Sequence, residues 1–296
     1  MSATHSRLRG RTAIAATLLV MLAGCNTLKG LQVGDVKLDP FVSAAEKLGQ
    51  SGDMSEADEV SLGGHMAATL VGAVPLDRNV ALQKYVNQVG RWVSLHSARP
   101  SLQWRFGVLA DDTINAFAAP GGYIFVTRGL LQTLDSEAEL AGVLAHEIVH
   151  VTARHHLHAV QKNNRLGAAT DVLGYLGDRE INKRGGQYAG AKRDVADRLL
   201  GATKELYARG LDKGDEFQAD REGLTLMARA GYDPYALLAV LQKLEARTGT
   251  DSALALLLQT HPKPADRLSA LANAEVLNLS GPFASNGERY LRQVGR

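Results

Sequence analysis

Ser136-Glu137-Ala138-Glu139-Leu140-Ala141-Gly142-Val143-Leu144-Ala145-His146-Glu147-Ile148-Val149-His150-Val151 is the best-marked helix in the chain, and it also carries a chemical signature. Ser136 followed by Glu139 is a capping box, with a hydroxyl and a carboxylate poised over the first free N–H groups of a helix. Leu140, Leu144, Ile148 and Val151 recur at helical spacing, so this face should pack into the core. His146 and His150 stand four apart and share a face, so both imidazoles can reach one cation. Glu147, about 100° further round the helix, is placed to hold a water on that cation. A bare His-Glu-x-x-His also arises by chance on surface helices. The cap and the apolar back face give this one its weight.

A catalytic zinc takes three protein ligands and leaves a position open. The third must come from elsewhere in the chain. Asp215-Glu216-Phe217-Gln218-Ala219-Asp220 places Glu216 and Asp220 four apart on another helix. Taken alone, that is the pattern of a solvated acidic face.

Around these motifs the chain reads as α+β and mostly α, with a small sheet packed on the His-Glu-x-x-His helix. Helices are expected at about 55–71, 76–95, 234–248 and 264–277. Another runs from about Lys192, breaks at Gly210 and Gly214, and resumes to about Ala230. Leu102, Trp104, Phe106 and Val108 alternate with more polar neighbours as in a half-buried strand. Pro120-Gly121-Gly122 marks a turn, and Tyr123-Ile124-Phe125-Val126-Thr127 after it favours β structure throughout. Residues 163–190 carry several glycines and read as an excursion. With 296 residues, 45% of them hydrophobic and 22% charged, the chain can bury one sizeable core. A formal net charge of +2, without basic clusters beyond the N-terminus, gives no sign of a nucleic-acid partner.

The N-terminus reads as an address. Arg7, Arg9 and Arg11 precede an apolar stretch from Thr12 to Ala23, which has signal-peptide length and is shorter than the ~20 residues a membrane span needs. It ends Leu22-Ala23-Gly24-Cys25, at the only cysteine of the chain. This resembles a bacterial lipobox, which implies lipidation of Cys25. Asn26 at the next position favours the outer membrane over retention at the inner one. The division expected is signal peptide 1–24, lipidated N-terminus and tether 25–55, a domain carrying the zinc motif 56–278 and tail 279–296. Without a second cysteine there is no disulfide, so stability falls to packing and any bound metal.

Together, four runs resemble the gluzincin metallopeptidase family that includes HtpX and the CaaX prenyl protease, in its periplasmic branch. They are Asn115 to Leu131, His146 to His150, Glu216 to Asp220, and Thr260-His261-Pro262-Lys263-Pro264-Ala265-Asp266-Arg267. The resemblance covers about residues 55–275. It implies one zinc per chain held by His146, His150 and Glu216, with Glu147 as general base and Asp220 orienting a ligand histidine. It also puts His261 near the metal, either on the open position at rest or against the transition state. Arg267 would steady the developing oxyanion. Asn115, Ala116 and Phe117 resemble the edge strand along which an extended substrate adds. The substrates implied are unfolded or misassembled envelope proteins. The setting implied is the periplasm, on the inner leaflet of the outer membrane, close to its assembly machinery. One departure is Leu211-Asp212-Lys213-Gly214, where the family often has an arginine. His155, His156 and His158 extend the metal helix and read as structural or surface groups, since three ligands are already supplied. A zinc-stabilised chaperone or scaffold that cuts little remains the alternative, although Glu147 favours catalysis. A serine enzyme is disfavoured by the lack of Gly-x-Ser-x-Gly.

Overall fold

Pro120-Gly121-Gly122 reverses the chain as its composition implies, with Gly121 and Gly122 at φ 73° and 95°, a region where a side chain is strained. The structure is a computed structural model and describes residues 32–33, 36–37, 54–159, 211–272 and 279–296. The signal sequence, Cys25, the 163–190 excursion and the helical stretch up to Gly210 lie outside the described residues. Within the expected tether, Gln32–Val33 and Val36–Lys37 pair antiparallel.

The turn joins the strands of a small sheet: β1 Arg105–Leu109, β2 Ala116–Ala119 and β3 Tyr123–Thr127. β3 covers the β-favouring run residue for residue. It lies in the middle, parallel to β1 and antiparallel to β2. Leu102, Trp104, Phe106 and Val108 are buried as their alternation suggested, but the ladder begins only at Arg105, and Gly107 and Leu109 on the other face are buried too.

The helices are α1 Glu56–Ala73, α2 Val80–Ser94, α3 Arg128–Thr133, α4 Glu137–Thr152, α5 Lys213–Arg229, α6 Tyr235–Arg247, α7 Ala255–Thr260, α8 Pro264–Leu271 and α9 Gly287–Val294. α2 starts later than the periodicity suggested because Asn79 caps it, its side chain accepting the Leu82 N–H at 3.1 Å. Leu76 instead bridges to Leu109 beside the sheet. Gly214 does not interrupt α5. It sits in the first turn, where helices tolerate weak formers best.

α4 is the centre of the domain. Its cap forms as expected, with the Ser136 hydroxyl accepting the Glu139 N–H at 3.1 Å. The Glu139 carboxylate takes the N–H of Asp135 at 2.8 Å, one residue before the one a capping box would supply. The expectation of one buried face understates the packing: every residue from Glu137 to Val151 is buried. α2, α5, α6 and the sheet surround the helix, so its polar residues are enclosed as completely as its leucines.

Residues 279–296, expected as a tail, fold back on this helix. Tyr290 is fully buried and donates its hydroxyl to Leu131 O at 2.6 Å. Asn286 Nδ2 and Arg289 Nε reach the buried Glu137 carboxylate at 3.2 and 3.0 Å. Tyr85 and Tyr232 donate to the same carboxylate at 2.8 and 2.9 Å, so the charge at the N-terminal end of α4 is fully hydrogen-bonded.

α1 crosses the 120–122 turn so closely that a Cβ on Gly63 would lie 1.7 Å from Pro120 O. Backbone cannot swing aside as a flexible side chain can. Gly63→Ala should therefore cost about 1–3 kcal/mol through overpacking. Urea unfolding would show it as a lower midpoint at unchanged slope. An unchanged midpoint would mean that the contact relaxes freely.

Candidate metal centre

α4 and α5 lie side by side and bring the two histidines and the distant acid together. His146 Nε2 and His150 Nε2 are 3.0 Å apart. Glu216 Oε2 is 3.6 Å from His146 Nε2, and Oε1 is 3.6 Å from His150 Nε2. A tetrahedral ion with bonds of ~2.0–2.1 Å separates its ligand atoms by about 3.3 Å, so these spacings leave room for one small cation. Glu216 is completely buried, and neither carboxylate oxygen has a hydrogen-bond partner among the described residues. A buried carboxylate orphaned in this way is costly unless something cationic faces it. The donor set therefore fits a metal. His261, capping the C-terminal end of α7, puts Nε2 4.0 Å from both Glu216 Oε2 and Glu147 Oε1. The donor atoms of His146, His150, Glu216 and His261 all lie within 4.8 Å of one another.

The rest of the site holds these groups in place. Asp220, one turn beyond Glu216, meets His146 Nδ1 at 2.9 Å through Oδ1. Arg267, near the start of α8, donates to both oxygens of Asp220, with Nε to Oδ2 at 2.9 Å. Its Nη2 is also 3.1 Å from His146 Nδ1. The guanidinium fork is thus engaged with Asp220, an arrangement that the sequence reading, with its oxyanion role, did not contain. In the Leu211–Gly214 run, Lys213 pairs with Asp266 at 3.3 Å.

His158 is exposed, as a surface group should be. His155 is not: it is buried, with Nδ1 2.9 Å from His150 Nδ1. Spacing could not have flagged it, because on an unbroken helix a residue five positions on points roughly 140° away. The chain instead breaks after Thr152, and Arg154 takes φ 58°. His156 Nδ1 is buried without a hydrogen-bond partner among the described residues, and burial pushes its pKa down to about 3.

The charges in this pocket are strongly coupled. Burial pushes the Glu147 carboxyl up to about 7 against the pull of His146. Burial also opposes the charge on Glu216, but His261, His146 and Arg267 hold it down at about 2. For His146, burial and Arg267 disfavour the cation, yet Asp220 and Glu216 outweigh them and raise it to about 9. His150 is driven well below its ordinary value by burial and by His146 beside it, since adjacent imidazoles cannot both be charged.

A cavity of about 30 Å³ opens beside the site, bordered by Ala116, Val143, His146, Glu147, His261 and Arg267. Of the residues read as an edge strand, Ala116 faces this cavity. Phe117 packs the other way, against Leu109 and Phe125. Asn115 is buried, and its N–H donates to Thr127 Oγ1 at 3.0 Å. β2 is one of the two outer strands of the sheet among the described residues, β1 being the other.

Residues 80–275 match the family model described as Peptidase family M48. The chain is 32% identical over 264 residues to a Yersinia pestis protein named beta-barrel assembly-enhancing protease, covering 89% of this chain and 52% of the relative. The protein of that name from Escherichia coli (strain K12) is 31% identical over 238 residues, 79% of this chain and 48% of its own. The Arabidopsis thaliana mitochondrial metalloendopeptidase OMA1 is 33% identical over 186 residues, 62% and 34% of the respective chains. The chain spans about half the length of the beta-barrel assembly-enhancing proteases it matches. The matched span takes in the sheet, the paired histidines, Glu216 and the His261–Arg267 run: the chain belongs to peptidase family M48.

Proposed function

We propose that the chain is a zinc-dependent endopeptidase that hydrolyses peptide bonds of unfolded or misassembled envelope proteins. The observation that carries this reading is the Glu216 carboxylate, buried without a hydrogen-bond partner among the described residues and facing His146 and His150 beside Glu147. His146, His150 and Glu216 would hold the metal. A bound zinc supplies a Lewis acid for the scissile carbonyl and makes water acidic enough to react near neutral pH. Glu147, pushed up to about 7, is matched to taking a proton at its carboxylate and returning it to the leaving amine. Asp220 fixes the tautomer of His146, and Arg267 fixes Asp220. A substrate running past Ala116 would reach Glu147 and His261 through the cavity they share.

The lipobox-like Leu22-Ala23-Gly24-Cys25 supports attachment through Cys25 and a place in the periplasm at the outer membrane. No helix among the described residues is long and apolar enough to cross a membrane. The relatives' name, beta-barrel assembly-enhancing protease, supports work alongside outer-membrane assembly machinery. One observation favours the second reading, a chaperone or scaffold that cuts little: His261 lies close enough to serve as a fourth donor.

Incubating the purified protein with an unfolded substrate protein, with zinc or with a chelator, separates the possibilities. Cutting should require zinc and stop with chelator. Cutting that survives chelation would overturn the proposal, and zinc-loaded protein that binds the substrate uncut would favour the scaffold.

A further inference from the structure

We propose that His155 is a positioning residue for the metal centre: it accepts the Nδ1–H of His150 and so fixes the ring in which His150 Nε2 faces the other donors. This rests on the metal-site reading above.

The two ligand histidines are held differently. His146 leans on a carboxylate, with Asp220 Oδ1 2.9 Å from Nδ1. His150 leans on a second imidazole, with His155 Nδ1 2.9 Å from its own Nδ1 and the ring centroids 5.1 Å apart at 73°. When His150 offers the Nε2 lone pair to a cation, its proton sits on Nδ1. His155 Nδ1 must then be an acceptor, which puts the proton of His155 on Nε2. That nitrogen faces Gln218 Oε1 at 3.4 Å, with Asp215 Oδ1 at 3.7 Å. Both are acceptors. Gln218 in turn donates through Nε2 to Glu222 Oε1 at 2.7 Å, which turns its amide oxygen toward His155. Every N–H from His150 to Glu222 thus finds an acceptor in one direction, and the reverse direction would leave His150 Nε2 protonated and unable to bind a metal.

The backbone is arranged for this contact. The helix ends at Thr152, and Arg154 takes a left-handed φ of 58° that a non-glycine residue adopts only when held there. Glu59, fully buried on α1, faces it as an ion pair without a hydrogen bond, Oε2 lying 3.2 Å from Arg154 Nε. Glu59 is itself fixed by the Gly121 N–H at 3.1 Å and Arg99 Nη1 at 2.8 Å. The strained residue lies between His150 and His155, at the place where the chain must turn to bring them together.

Partners that orient a ligand histidine typically change metal affinity about 10–100-fold when removed. His155→Ala should weaken zinc binding by that factor, measured in the purified protein by competition with a chelator. His155→Gln, which restores an acceptor, should recover most of the loss. The metal-free proteins should unfold at similar midpoints. Equal zinc affinity in wild type and His155→Ala would overturn the proposal while leaving the metal site intact. A wild type that binds no zinc would remove the metal site itself, and the proposal with it. Should His155→Ala fail to fold, nitrogen NMR of the labelled, zinc-loaded wild type decides. Coupling across an N–H···N bond between the two Nδ1 atoms is expected, and protonated Nδ1 on His155 would contradict it.

Discussion

Glu147→Gln is expected to lower cleavage of an unfolded protein by roughly 10²–10⁴-fold, the range over which a positioned general base contributes. The substitution keeps volume and shape in a site where Glu147 is buried at 3% exposure, so packing around it should survive. It removes a carboxylate whose pKa burial lifts to about 7, and an amide can neither take the proton nor return it. Metal content should stay at the wild-type level, because the proposed ligands are His146, His150 and Glu216, and Glu147 is not among the donor atoms that cluster there. The loss should therefore appear in kcat, with metal retained. A variant that cuts at the wild-type rate would show that the proton goes elsewhere, and Glu147 would have no place in the mechanism.

Arg267→Met should be the most destabilising single change at the site, at about 3–5 kcal/mol. Arg267 is 5% exposed and its fork is bonded to Asp220, which is wholly buried. Glu216 and Glu147 lie close enough to feel the same cation. Removing it leaves Asp220 with His146 Nδ1 as its one remaining partner among the described residues, in low dielectric beside two more acids. Thermal unfolding should move down by roughly 10 °C, taking about 2–4 °C per kcal/mol for a domain of this size. Asp220→Asn added to Arg267→Met should recover part of the loss, since the two residues act as one unit. Arg267→Lys should rescue poorly, because an ammonium cannot reproduce the two-pronged contact. Were Arg267 to serve only a developing oxyanion, its removal would lower kcat and leave the unfolding temperature unchanged.

α4 was legible because its signals were local: Ser136 with Glu139, then leucines at helical spacing. β3 was legible for the same reason, as a β-favouring run behind a glycine turn. What surrounds α4 was not. Burial on every side depends on α2, α5 and α6 arriving from distant parts of the chain, which periodicity within one segment cannot report. The pairing of Glu216 with the histidines was readable only from the resemblance, since two acids four apart look the same on a solvated helix. The last turns of the chain misled for a related reason. Tyr290 is one aromatic residue among polar neighbours, and nothing local shows that it fills a slot beside Leu131. α3 spans only Arg128–Thr133, too short for a period to show. His155 was passed over because helical geometry points it away from His150, and the left-handed turn at Arg154 that reverses this leaves no mark in composition.

Elemental analysis of the purified protein beside Glu216→Gln tests the central claim most directly, that α4 and α5 share one ion. The account predicts about one zinc per wild-type chain and a large loss of bound zinc in the variant at intact helix content. Zinc retained in full by Glu216→Gln, or none in wild type after incubation with the metal, would contradict it.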